Sequence, residues 1–204
     1  MTKEVWYAAY GSNLHVDRLA YYLLGGRPPD AGRDYPGSRE PRMPGPPVPL
    51  ELPGAVYFAT ESPVWTGGRA FYDPDVPGRV LSRAYRLTAV QFSDLAAQEM
   101  YRVPGGDLDL GPVLRDGRAA CGAGRYETLV SPGALDGLPL ITFTAPWRMD
   151  EVEHTVPAAG YLRHLAAGLL AAGVWDRETV TGYLAARPGA AGHWTAPHIA
   201  ALLE

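Results

Sequence analysis

The chain has 204 residues, a formal net charge of -4 and 47% apolar residues. That length suits one domain, or one domain with an appendage, and that composition allows a sizeable core. Interspersed acids and bases exclude a nucleic-acid footprint, no run of about 18 apolar residues predicts a membrane span, and lone Cys121 excludes an intrachain disulfide framework and fits a reducing cytoplasm.

Residues 4–10, EVWYAAY, have β-type composition and predict a buried strand. The N-terminal stretch lacks the apolar centre and cleavage site expected of a signal peptide. In residues 14–24, Leu14, Leu19, Tyr22 and Leu23 share one stripe and predict a helix, with Ser12 or Asn13 as its N-cap. Residues 25–53 carry Pro28, Pro29, Pro36, Pro41, Pro44, Pro46, Pro47, Pro49 and Pro53, which are hostile to helix and central strand, so they read as a long excursion.

Strands are expected at 54–61, 69–72 and 79–87. Thr88 then suits the N-cap of a helix over 89–101, with Phe92, Leu95 and Glu99 near one face. Residues 118–130 and 140–144 read as further strands. Helices are expected from Pro157 to Ala171, near 177–187 and near 196–203. Strands first and helices last argue for α+β architecture.

Most familiar chemistry is missing. The histidines form neither HxH nor HExxH, so no metal site is expected. Tyr10-Gly11-Ser12-Asn13 lacks the spacing of a nucleophile elbow, and Cys121 reads as a small core residue. No phosphate-cradling glycine loop follows a strand. What remains is the 10–14 loop and Glu99. A strand-to-helix turn of Gly, Ser and Asn is either a capped connector or a cradle offering backbone N–H groups to an anion. Gly11 there allows close backbone approach or a positive φ. Glu99, beside Leu95, Ala96 and Met100, is either a solvated helix-end acid or a partly desolvated base.

Together these features resemble the γ-glutamylcyclotransferase-like family. The resemblance is carried by Tyr10-Gly11-Ser12-Asn13-Leu14, by Trp65-Thr66-Gly67-Gly68, by Arg83-Ala84-Tyr85-Arg86-Leu87, by Asp94-Leu95-Ala96-Ala97-Gln98-Glu99 and by Arg125-Tyr126. It spans residues 4–145 in the family's order. Met100 departs from the glycine common after the glutamate. The resemblance implies a small β-barrel flanked by helices over residues 1–150, interrupted by the Pro-rich insertion at 25–53, with a C-terminal helical extension at 151–204 packed on it.

It also implies release of 5-oxoproline and a free amine from a γ-glutamyl amide, without metal or cofactor. Glu99 is then the general acid/base. Tyr10, Gly11, Ser12, Asn13, Leu14 and Tyr126 are the substrate-binding residues. Glu127 is expected on the opposite strand face from Tyr126. The partner expected is a small γ-glutamyl molecule, with no nucleic acid or membrane, in a cytoplasmic monomer or homodimer. Alternatives are a relative acting on a larger γ-glutamyl amine and a non-catalytic binding module of the same fold.

Overall fold

The computed structural model describes residues 3–28 and 34–204, so Pro29 of the expected excursion lies outside the described residues. The strands are β1 (Glu4–Ala9), β2 (Val48–Pro53), β3 (Ala55–Glu61), β4 (Gly68–Asp73), β5 (Arg79–Thr88), β6 (Arg118–Ala120), β7 (Thr128–Leu135) and β8 (Leu138–Thr144). The helices are α1 (Val16–Leu24), α2 (Ala89–Glu99), α3 (Gly111–Asp116), α4 (Ala159–Leu170), α5 (Arg177–Ala185) and α6 (Ala196–Ala201). This is an α+β chain.

A six-stranded sheet runs in the order β2-β5-β1-β8-β7-β6, and β3 and β4 pair separately. β1 and β8 are parallel, with Trp6 opposite Leu140 and Tyr7 opposite Ile141. The β6-β7 and β7-β8 pairs are antiparallel. The order does not return from β6 to β2, so the barrel expected from the resemblance is an open sheet.

The chain divides into two compact units. One comprises the chain up to Ala9 with Asp17–Val48 and Ala84–Pro146. Its core follows the strand period: Val5, Tyr7 and Ala9 of β1 join Tyr85, Ile141 and Phe143. α2 supplies Phe92, Leu95 and Ala96 to the same core. Thr88 begins that helix with a capping box, its hydroxyl accepting from the Gln91 amide while Gln91 Oε1 accepts from the Thr88 amide. Met100, where a glycine was expected from the family pattern, has φ -80° and needs no special residue; the left-handed position is Tyr101, at φ 58°.

The other unit comprises Tyr10–Val16, Pro49–Arg83 and Trp147–Glu204. β3 and β4 pair from Ala55 opposite Asp73 to Glu61 opposite Gly68, with a bulge at Thr60, φ 50°. Gly68 is required by packing, because a Cβ there would stand 2.0 Å from the Thr155 carbonyl oxygen. The helices α4, α5 and α6 lie in this unit.

Four local expectations need correction. The helix expected from Leu14 begins at Val16; Ser12–Leu14 form a 3-10 turn whose N-cap is Gly11, without a side-chain cap. The Pro-rich stretch ends in β2, which tolerates Pro49 and Pro53 because it is the edge of the sheet. The single strand expected over 118–130 is a hairpin, since Gly122 and Gly124 lie in a turn between β6 and β7. α3, opened by Gly111 and Pro112, went unanticipated because so short a segment shows no periodicity.

Candidate functional site

The 10–14 loop sits on α4 within its own unit. The Leu14 amide donates to the Gly11 carbonyl at 3.0 Å and the His15 amide to the Ser12 carbonyl at 3.3 Å, which closes the turn. His164 Nε2 lies 2.8 Å from the same Ser12 oxygen. Arg83 Nη1 donates to the carbonyls of Leu14 and Gly168, at 2.8 and 3.1 Å. A Cβ on Gly168 would stand 2.8 Å from Leu14 Cβ, so this glycine lets the chain cross α4 closely.

Tyr10, Asn13 and Leu14 are buried, whereas Gly11 and Ser12 are half-buried. Tyr10 packs on Tyr72, ring centroids 5.7 Å apart. Gly11 has φ -113°, so no left-handed conformation explains it. Its α-carbon faces Tyr161, whose hydroxyl would lie 3.4 Å from a Cβ placed there and also accepts from the Ala70 amide at 3.3 Å. Trp65 of the glycine-rich element stacks on Tyr161 at 5.1 Å and tilts against His164 at 4.9 Å.

Glu99 closes α2 in the other unit and is half-buried. Its carboxylate shares a hydrogen bond with the Tyr22 hydroxyl. Burial pushes the Tyr22 phenol well above its ordinary pKa, and the Glu99 charge pushes the same way. Arg18, four residues earlier on α1, lies over the rings of Tyr22 and Tyr35 at 5.4 and 4.7 Å and donates to the Tyr35 hydroxyl. Burial opposes the Arg18 charge, but Tyr22, Tyr35 and Glu99 together hold its pKa above the usual value.

Asp94 and Gln98, earlier in the same motif, anchor the excursion. Asp94 is fully buried and accepts from Ser38 Oγ at 3.0 Å, from the Arg39 amide at 2.8 Å and from Arg39 Nε at 2.9 Å. Gln98 Nε2 donates to the Tyr22 carbonyl at 2.9 Å. Tyr126 occupies the turn before β7, not a strand, and meets Phe143 edge-on at 6.1 Å. Strand alternation therefore does not set the direction of Glu127, which bonds the Gly124 amide at 2.7 Å and Arg102. Cys121, expected in a core strand, is half-buried in the same turn, and burial pushes its thiol up, away from a reactive thiolate. Among the described residues, no group of three or more His, Cys, Asp or Glu could hold a metal ion, and no helix is long and apolar enough to cross a membrane.

The groups around both features escaped the sequence reading. Arg18 and Tyr22 share a helix face four residues apart, and a cation on an apolar stripe is the signal that marks them. Tyr161, His164 and Gly168 likewise share one face of α4, by their spacing of three and seven.

The fold is found in solved structures. The chain is similar to a gamma-glutamyl cyclotransferase, with TM-score 0.51 and 15% identity over 97% of this chain and 96% of that one. It is similar also to the uncharacterized protein loc79017 from Homo sapiens, with TM-score 0.53, 15% identity and the same coverage. The chain therefore has the γ-glutamylcyclotransferase-like fold. In sequence it is 28% identical over 199 residues to Histone deacetylase 5 of Arabidopsis thaliana, matching 89% of this chain. It spans 30% of the length of that curated relative. No family model matches the chain.

Proposed function

We propose that this protein is a cyclotransferase-type enzyme that releases 5-oxoproline and a free amine from a γ-glutamyl amide. The observation that carries this reading is a half-buried carboxylate, Glu99, held by Tyr22 at the end of α2 in a chain of γ-glutamylcyclotransferase-like fold.

In this reading Glu99 removes a proton from the substrate ammonium. The freed α-amine attacks the γ-carbonyl, a new C–N bond closes a five-membered ring, and the old amide C–N bond breaks. The same carboxyl returns the proton to the departing amine, and the ring nitrogen sheds its second proton, so that the amine leaves as its ammonium form. Nucleophile and electrophile belong to one molecule, so holding the glutamyl chain bent supplies much of the acceleration. Backbone N–H groups of the 11–13 turn hold the substrate carboxylate, and Tyr10, Leu14 and Tyr126 support the binding residues. The protein acts in the cytoplasm, on a small molecule and without a cofactor. The amine released can belong to a small amino acid or to a larger biosynthetic intermediate.

The match to a stretch of a longer curated relative favours a second reading, a non-catalytic binding module carried in larger proteins. Incubation with γ-glutamyl amides and detection of 5-oxoproline separates the two. Cyclisation supports the enzyme, with α-glutamyl dipeptides unreactive because they lack a free α-carboxylate. Saturable binding without cyclisation supports the module.

A further inference from the structure

The Pro-rich excursion, to which the sequence assigned no task, delivers one side chain to the neighbourhood of Glu99. Tyr35 is buried, and its backbone bridges to Gly26 just past α1. The Gly26 amide donates to the Tyr35 carbonyl at 3.0 Å, and the Tyr35 amide to the Gly26 carbonyl at 2.8 Å. The Tyr35 ring meets Tyr22 edge-on at 4.8 Å, and its hydroxyl accepts from Arg18 Nη2.

Arg18 depends on that acceptor. Its side chain is buried, and its Nε has no hydrogen-bond partner among the described residues. A buried cation is costly unless it is paired. Tyr22, Tyr35 and Glu99 are the groups that act on it electrostatically, and Glu99 is the carboxylate among them. Both meet at Tyr22: the guanidinium lies 5.4 Å from the centre of its ring, and Glu99 shares a hydrogen bond with its hydroxyl. Yet the hydrogen bond that Arg18 donates goes to Tyr35.

A guanidinium and a carboxylate at close quarters readily close a two-pronged ion pair, in which N–H donors engage both carboxylate oxygens. A carboxylate so engaged is a poor acceptor for an incoming ammonium. We propose that Tyr35 is a positioning residue that anchors Arg18 and so keeps its guanidinium from closing an ion pair on Glu99 in competition with the substrate ammonium. This rests on the reading of Glu99 as the general acid/base. It gives the excursion at 25–53 a part in turnover that acts through Arg18.

The test makes Tyr35→Phe, which keeps the ring and loses the acceptor, both in the wild type and in an Arg18→Met background, where no guanidinium remains. The backbone bridge to Gly26 does not involve the hydroxyl, so Tyr35→Phe is expected to fold. kcat and KM for a γ-glutamyl amide are measured on all four proteins, and a crystal structure of Tyr35→Phe gives the distance from Arg18 to Glu99. Tyr35→Phe is expected to lower kcat roughly tenfold or more, a share of what general acid–base catalysis contributes, with KM within about twofold. Its Arg18 nitrogens are expected within about 4 Å of the Glu99 oxygens. In the Arg18→Met background the same change is expected to alter kcat less than about twofold, because there is no guanidinium to release. An unchanged kcat in Tyr35→Phe overturns the proposal. So does an equal loss in both backgrounds, which makes Tyr35 merely structural, and so does a guanidinium that stays where it is. Should the wild type release no 5-oxoproline, the reading of Glu99 fails by itself. The crystal structure then decides the anchoring alone, as it does if Arg18→Met is inactive: an ion pair to Glu99 supports it, and an unmoved Arg18 overturns it. If Tyr35→Phe does not fold, Tyr35→Leu, which also lacks the hydroxyl, replaces it.

Discussion

The Tyr22 hydroxyl and the Glu99 carboxylate share a hydrogen bond that joins α1 to the last residue of α2. Around it stand Arg18 and Tyr35, both buried. A carboxylate so held loses little freedom on folding beyond what the helix already costs, and its orientation is set before any substrate arrives. The relationship makes both residues testable, separately for stability and for turnover.

Glu99→Gln preserves size and still accepts from Tyr22, but cannot take a proton. Turnover of a confirmed γ-glutamyl amide is expected to fall roughly 10²–10⁴-fold, the usual contribution of general acid–base catalysis. Glu61→Gln, at an exposed strand end, leaves turnover intact. Assays of 5-oxoproline release check both, and full activity in the Glu99 variant places the base elsewhere.

Tyr22→Phe removes the hydrogen bond and should cost about 1 kcal/mol in urea unfolding near neutral pH. The pH dependence adds an independent signature. Burial raises the folded-state pKa of Tyr22, so above about pH 10 the unfolded chain releases a proton that the native state keeps. Stability from this group is full below the unfolded pKa and falls as pH rises beyond it. The wild type should therefore lose stability more steeply than Tyr22→Phe between about pH 9 and 11, where melting curves compare them.

Asp94→Ala strips the partners from Ser38, the Arg39 amide and the Arg39 guanidinium. The Arg39 side chain is 37% exposed, so water can take over its charge, whereas the carboxylate site itself is fully buried. A loss of about 2–3 kcal/mol in urea unfolding is expected, dominated by the hydrogen bonds to the 38–39 segment. A change below about 0.5 kcal/mol, the level of an ordinary surface substitution, counts against that clamp.

Two glycines of α4 should respond in opposite directions. A Cβ at Gly160 meets nothing within 4 Å, so Gly160→Ala gains helix propensity and raises Tm, by up to about 1 kcal/mol in stability. At Gly168 the same atom would stand 2.8 Å from Leu14 Cβ and 2.9 Å from the Leu14 carbonyl carbon. Gly168→Ala is therefore expected to lower Tm, because backbone must move to admit it. Thermal melts of the pair check this, and equal Tm values contradict the close crossing of loop and helix.

The sequence by itself determined the local elements whose pattern reports burial. β1 is buried wherever EVWYAA is apolar, β3, β4 and β5 stand at their expected places, and Thr88 caps α2 as its neighbours require. It also brought forward the 10–14 loop and Glu99 as candidates. Only the tertiary structure decided the rest. Pro49 and Pro53 form a strand because β2 lies at a sheet edge, where a missing N–H is tolerated. The turn holding Tyr126 depends on a β6-β7 pairing that composition alone does not announce. Tyr22 on Glu99 and His164 on Ser12 are contacts between residues far apart in the chain. Periodicity records which way a side chain faces on its own element; it carries no information about which distant group meets it there.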